Sequence, residues 1–285
     1  MDNITSYAAT PRNIRWIDLS EWHKRARERL QGTLSSFRDG KAAKSLNIVG
    51  PYGSGKSELM AWGFNYAWKD LSVPAIFVNL ETLLDCLPEV LGPAKLVNAI
   101  DDFMKHQLNE IAENLENDTR PEKIHLAPDL RYDESFLGYF REMFSNSDIH
   151  PKRIQDIIQT GKAILFLDEI EQKYAYLMER VPSDDRAPLR ELFQAVDHGK
   201  IPYYLVGSFG LTSAYESVSD ADTRREGTIS LPIPDAAELG RLSRIEDYRN
   251  FIWWASRGRP GWAVKLAQEW GEIFMKLTEW KILTI

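Results

Sequence analysis

The sequence predicts an α/β protein: a five-stranded parallel sheet with helices on both faces, followed by a small all-helical region. Three observations carry that expectation. Short apolar runs at 46–49, 74–80, 163–167, 201–207 and 228–231 alternate with helix-periodic stretches, and strands buried on both faces of a parallel sheet read as continuous apolar runs. The octapeptide Gly50-Pro51-Tyr52-Gly53-Ser54-Gly55-Lys56-Ser57 joins the first run to a helical pattern. The third run ends in Asp168-Glu169, a pair of carboxylates at a strand tip.

The elements follow in order. Leu19, Trp22, Ala26, Leu30, Leu34 and Phe37 recur at steps of three and four, which predicts a helix over about 20–38, ended near Gly40. Its outer face carries Lys24, Arg25, Arg27 and Arg29. Such a cluster reads either as a solvated face or as a contact for a phosphate backbone. After the glycine-rich loop, Leu59, Met60, Phe64 and Trp68 mark a helix over 58–68. The stretch from 81 to about 161 is acidic and mostly helical, with a polar, turn-rich loop at 114–133. Beyond Pro234 only helical spacing is visible, ending with Ala263, Leu266, Ala267, Trp270, Phe274 and Leu277. The expected organisation is a leading segment and helix at 1–44, an α/β core at 45–233 and a helical lid at 234–285.

Composition narrows the function classes. A 44% hydrophobic content over 285 residues suits a globular protein, and no apolar run is long enough to span a membrane. The start of the chain lacks the pattern of a secretory signal, and the single cysteine, Cys86, excludes an internal disulfide framework and a Cys-rich zinc site. A cytoplasmic protein is expected. The net charge of −7 argues against wholesale coating of nucleic acid, though not against a local basic face.

The octapeptide fits G-x-x-x-x-G-K-[ST], the phosphate-cradling P-loop, in the strand–loop–helix context that the pattern needs. Gly50, Gly53 and Gly55 let the backbone curl around Ser54 so that successive N–H groups face an anion. The helix amino end adds partial positive charge. Lys56 is then expected to reach the outer phosphates of ATP, and the Ser57 hydroxyl to bind Mg²⁺. Asp168, at the tip of a buried strand, has one good use beside such a loop: holding Mg²⁺ through its water shell. Glu169 is placed to polarise a water for in-line attack on the γ-phosphate, with Glu171 the alternative.

An apolar run ending in Asp-Glu, downstream of this loop, resembles the Walker B box of the AAA+ ATPases. Other pieces fall in that family's order. Asn79, at the end of the second strand, matches the polar residue that contacts the catalytic glutamate. Ser208, just after the fourth strand, stands at the sensor 1 position. Thr223-Arg224-Arg225 stands where the family keeps its arginine finger, so Arg224 or Arg225 would act across a subunit interface. Leu231-Pro232-Ile233-Pro234-Asp235 resembles the exit from strand five into the lid. Ser256-Arg257-Gly258-Arg259-Pro260-Gly261 resembles the entry to the sensor 2 helix. The family's sensor 2 arginine aligns with Gly261, so Arg259, or Arg257 second, would have to substitute. The resemblance also implies the sheet order five-one-four-three-two.

Within AAA+ the chain looks most like the origin-recognition and initiator group, which shades into STAND and archaeal and phage-defence ATPases. Initiators carry a winged-helix domain after the lid, and no segment for one precedes Ile285. The resemblance implies a Mg-ATP-driven switch in a DNA-associated process: replication initiation, loading or anti-phage defence. The alternative is a STAND-like signalling or assembly ATPase with protein partners only. An ATP-dependent homo- or hetero-oligomer is expected, with DNA and a protein as candidate partners and no membrane. A small-molecule kinase fits less well, because it needs neither Asp168-Glu169 nor a helical lid.

Overall fold

A computed structural model describes residues 18, 20–40, 45–85, 93–116, 162–170, 196, 203–210, 227–243, 248–267 and 269–270. The opening helix α1 (Glu21–Arg38) begins at Ser20, whose hydroxyl accepts the His23 N–H at 3.2 Å. That bond satisfies one of the helix's leading N–H groups. The chain then runs through β1 (Ser45–Val49), α2 (Lys56–Lys69), β2 (Ala75–Asn79), the short α3 (Leu80–Asp85) and α4 (Pro93–Glu116). After them come β3 (Ile164–Asp168), β4 (Tyr204–Phe209) and β5 (Thr228–Ser230), then α5 (Ala236–Ser243) and α6 (Arg249–Ser256). Residues 260–267 form a last helical segment, α7.

The five strands make one sheet in the order β2-β3-β4-β1-β5, with every pairing parallel. This is the order the resemblance implied. Side chains alternate across a strand, so Ile76 and Val78 point away from the face that carries Phe77. All three are buried, and so is every residue of β3 and β4. Both faces of the sheet are therefore covered, which is why the strands read as unbroken apolar runs.

One face is covered by α1 and α2. Phe64 of α2 meets Phe77 and Phe166 edge-on, each with ring centroids 6.2 Å apart, and those two rings stack at 6.3 Å. Phe37 at the end of α1 stacks on Tyr204 of β4 at 4.5 Å. The buried Trp68 indole donates to the Ala75 carbonyl at 3.0 Å, tying the end of α2 to the start of β2. The two helices cross closely at Gly63, where a Cβ would stand 2.8 Å from Leu30 Cδ2 and 3.3 Å from Phe166 Cε1. Along α4, Leu96, Ile100, Phe103, Met104 and Leu108 are buried at helical spacing, and this helix packs against β2.

The elements after β5 form a second, small apolar cluster of Leu239, Ile252 and Ala263 with Leu242, Tyr248 and Leu266 around it. Asp235 and Glu238 cap α5 reciprocally: Glu238 N–H donates to Asp235 Oδ1 at 2.8 Å, and Asp235 N–H to Glu238 Oε2 at 3.0 Å. That D-x-x-E arrangement is a capping box. The Pro232 and Pro234 carbonyls of the connecting segment are both held. Buried His23 of α1 is 3.2 Å from Pro232 O through Nε2, and because a carbonyl only accepts, Nε2 carries the proton. Trp253 of α6 donates its indole N–H to Pro234 O at 3.0 Å.

Several boundaries differ from the sequence reading by a residue or more, and two of them bear on the site. The helix after the glycine loop starts at Lys56 rather than Glu58, because Gly55 takes the left-handed turn that opens it. β4 runs over 204–209 rather than 201–207, so Ser208 lies within the strand and not after it. Much of the stretch between α4 and β3 lies outside the described residues; of the turn-rich loop expected at 114–133, residues 114–116 still belong to α4, a correction to its start, and 117–133 lie outside them. Among the described residues no helix is long and apolar enough to cross a membrane.

The crossing at Gly63 gives a direct test. Leu30 and Phe166 are fully buried and have no room to retreat. Gly63→Val is expected to destabilise the fold by about 1–3 kcal/mol, the usual result of overpacking a filled core. Urea denaturation reads this as a lower midpoint; an unchanged midpoint would mean that the two helices are not packed this closely.

Candidate functional site

The carboxyl edge of the sheet collects the polar side chains. Asn79 of β2 pairs in register with Asp168 of β3, and one residue earlier Leu167 pairs with Gly207 of β4, which brings Ser208 level with Asp168. By strand alternation Asn79, Asp168 and Ser208 lie on the face of Phe77, Phe166 and Tyr204, the face that α1 and α2 cover. Three strand ends thus aim polar groups at the amino end of α2.

Asp168 and Ser208 are both buried, and they satisfy each other. The Ser208 hydroxyl donates a short hydrogen bond to Asp168 Oδ1. The Glu169 backbone N–H donates to the same oxygen at 2.9 Å and to Ser208 Oγ at 3.1 Å. Glu169 itself has φ of 55°, in the left-handed region. A side chain there costs on the order of 1–2 kcal/mol, and such strain gathers at functional positions. The three bonds hold the turn that carries the Glu169 side chain off the strand tip.

The loop between β1 and α2 lies across the same edge. Gly50 N–H donates to Phe209 O at 3.1 Å, which ties the loop's start to β4, and Ser54 N–H closes a turn onto Pro51 O at 3.1 Å. Gly53 has φ of 80° and Gly55 φ of 97°, conformations that favour glycine. Gly55 is the N-cap of α2 and carries no side chain to occupy the leading N–H groups of the helix. The Lys56 ammonium is buried and folds back onto the loop, donating to Gly50 O at 2.9 Å and Pro51 O at 3.2 Å. Ser57 follows on the first turn.

Glu58, next on that turn, was not singled out from the sequence. Burial, and then the negative charge of Asp168, push its carboxyl up from 4.5 to about 7. The acid is within electrostatic reach of Asp168. The only sequence signal was its place beside Ser57 on the first helical turn; its depth and its acidic neighbour are tertiary facts. Among the described residues no three metal-ligating side chains converge. Ser57 beside Glu58 on the first turn, with Asp168 at the strand tip, offers few ligands and suits a cation that brings most of its own, the habit of Mg²⁺.

The C-terminal helices reach the loop at one place. Gly261 N–H donates to Gly53 O at 3.0 Å. A Cβ on Gly53 would stand 2.8 Å from Trp262 Cδ1 and 3.5 Å from Arg259 Cβ, so the stem of Arg259 lies beside the loop tip. Arg257 is different: it is exposed, has φ of 53°, and caps α6 by donating its N–H to Trp254 O at 3.1 Å. The sequence reading aimed the amino end of this last helix at phosphates. In the structure the Gly261 N–H is committed to the Gly53 carbonyl instead.

The expected basic face of α1 is partly neutralised. Arg27 pairs with Asp18 at 3.0 Å and lies over the Trp62 ring, and Arg25 pairs with Glu21 at 3.7 Å and lies over Trp22. Arg224, Arg225 and Glu171 lie outside the described residues. A scan against protein-family models finds no match to this chain, and a search of curated proteins finds no significant relative.

The Glu58 carboxyl sets a pH dependence of stability. Its pKa is higher in the folded state than in the unfolded chain, so the fold binds more protons between about 4.5 and about 7. The fold is therefore least penalised at acid pH, and the penalty is complete above pH 7. Glu58→Gln removes the ionisation, and its stability relative to wild type is expected to rise between about pH 5 and pH 8, by on the order of 1–3 kcal/mol. Denaturant titrations at both pH values check this; a pH-independent difference would show that the acid is not held this way.

Proposed function

We propose that the chain binds and hydrolyses Mg-ATP as an AAA+-like P-loop ATPase, acting as a nucleotide-driven switch in a DNA-associated process. The observation that carries the reading is a convergence at one sheet edge. A glycine loop with two left-handed turns opens a helix, a buried lysine lies across it, and an Asp-Glu strand tip faces it from β3.

In this reading the backbone N–H groups of the loop and of the first turn of α2 would cradle the phosphates. Lys56 would exchange the carbonyls of Gly50 and Pro51 for phosphate oxygens. Mg²⁺, held through Ser57 and Asp168, would supply positive charge to the outer phosphates. Glu169 would take a proton from the attacking water. Ser208 is better assigned to positioning than to touching that water, since its hydroxyl already bonds Asp168 and accepts from the Glu169 N–H. Asn79, level with Asp168, is the candidate to orient Glu169.

The helices after β5 are proposed as a lid. Arg259 is its phosphate contact, because its stem already lies at the loop tip, and Pro232 and Pro234 mark the hinge. Arg224 and Arg225 are proposed to act on the nucleotide of a neighbouring subunit in an oligomer. One observation favours the STAND-like alternative with protein partners only: Arg25 and Arg27 on α1 already have acidic partners. A salt-dependent gel shift separates the two, because counterion release makes DNA affinity fall steeply with salt.

Lys56→Ala is expected to abolish binding of an ATP analogue in calorimetry, since it removes the charge facing the outer phosphates; unchanged affinity would overturn the reading. Glu169→Gln keeps size and hydrogen bonding but loses the base. ATP is expected to remain bound while turnover falls on the order of 10²-fold or more, and normal turnover would move the role to Glu171. Mixing Lys56→Ala with an Arg224→Ala/Arg225→Ala double variant is expected to restore some activity. A mixture that stays inactive, with wild type monomeric in ATP, would remove the trans role.

A further inference from the structure

The strand order sets which way a nucleotide would lie across the loop. β1 leads into the loop and has β4 on one side and β5 on the other, while Asp168 ends β3, beyond β4. Outer phosphates and a Mg²⁺ held toward Asp168 therefore leave the nucleoside end on the β5 side. That is the side on which the chain passes from Ser230 into the C-terminal helices. Three residues past β5, Ile233 Cγ2 fills the place that a Cβ on Gly258 would take. The turn before α7 thus runs from the exit of β5 to the tip of the loop.

Trp262 stands at that tip. The atoms nearest to a Cβ on Gly53 belong to its five-membered ring, Cδ1 at 2.8 Å and Nε1 at 3.4 Å, and one residue earlier the Gly261 N–H holds the Gly53 carbonyl. The backbone that carries the ring is therefore fixed to the loop, yet Trp262 remains 42% exposed. Tyr52, 50% exposed, is the loop's own open ring, but among the described residues its side chain makes no hydrogen bond or ring contact that would hold it in one place. Trp22, Phe251 and Trp254 are exposed as well, and no described contact brings them to the loop.

We propose that Trp262 is the platform on which the base of the bound nucleotide stacks. A nucleobase is flat and largely apolar on its faces, so it gains by leaving water for an aromatic ring. A ring whose backbone is already held loses little freedom when the base arrives. Arg259, three residues earlier, has its stem beside the same Gly53, so one turn of chain offers a cation to the phosphates and a ring to the base. The proposal rests on the nucleotide-binding reading above, and adds to it the residue that tells a nucleotide from bare phosphate.

The test is calorimetry with two ligands in the presence of Mg²⁺: a non-hydrolysable ATP analogue, and inorganic tripolyphosphate, which has the phosphates without the base. Trp262→Ala is expected to weaken binding of the analogue about tenfold and to leave tripolyphosphate binding unchanged, and Trp262→Phe to recover part of the loss. Trp262→Leu keeps apolar bulk against Gly53 without a π-face, and is expected to behave as Trp262→Ala does. It also takes the place of the alanine variant should thermal denaturation show that variant unfolded. Equal losses for the two ligands would show that the ring only shapes the loop, and would overturn the proposal. Analogue binding that is indifferent to Trp262→Ala, or as tight in Trp262→Leu as in wild type, would overturn it equally. In each of these cases the ATP-binding reading would still stand on the Lys56 calorimetry. Wild type that binds neither ligand would overturn the proposal and that reading together.

Discussion

The need to satisfy one buried carboxylate organises the functional edge of this protein. Asp168 ends a strand in which every residue is buried. A carboxyl group there is expensive unless its oxygens find donors. Both donors to Oδ1 are local products of the fold: the hydroxyl of Ser208, brought level by the parallel register of β3 and β4, and the N–H of Glu169. Glu169 itself takes the left-handed conformation, so the chain turns off the strand tip at the residue whose N–H completes this set, and the register of β4 places Ser208 beside it.

The same carboxylate acts across the edge on α2. Glu58 is held close enough to Asp168 for the charge of one to raise the pKa of the other. Two ionised acids within electrostatic reach of each other repel, so the pair is unfavourable when both are charged and nothing lies between them. The Lys56 ammonium sits on loop carbonyls nearby.

The C-terminal helices are joined to this edge through few atoms. Among the described residues, their contacts with the loop gather at Gly53: the Gly261 N–H, the Trp262 ring and the Arg259 stem. Gly53 is therefore constrained twice, by its positive φ and by the lack of room for a Cβ. Under the proposed switch, Gly53 is the point at which the loop would report its state to the helices.

The sequence by itself determined the class of fold and the glycine-borne turns of the loop between β1 and α2. Five apolar runs, helix periods between them and glycines at fixed spacing are local patterns, and local patterns survive in a single chain: the five strands, α1 with its Ser20 cap and the left-handed Gly53 and Gly55 all follow from them. It also marked Asp168, because a carboxylate closing an apolar run is conspicuous. Tertiary structure decided what depends on register and depth. Ser208 became a partner of Asp168 rather than a residue beyond the strand, since only strand pairing sets which residues stand level. Glu58 became an acid with a raised pKa, since nothing in its neighbours along the chain reveals what lies across the sheet edge. Between Arg257 and Arg259, two residues apart in one turn, the structure chose the one at the loop tip, because a left-handed cap on α6 separates their directions. Sequence carries periodicity and composition; the meeting of distant side chains is a property of the packed sheet.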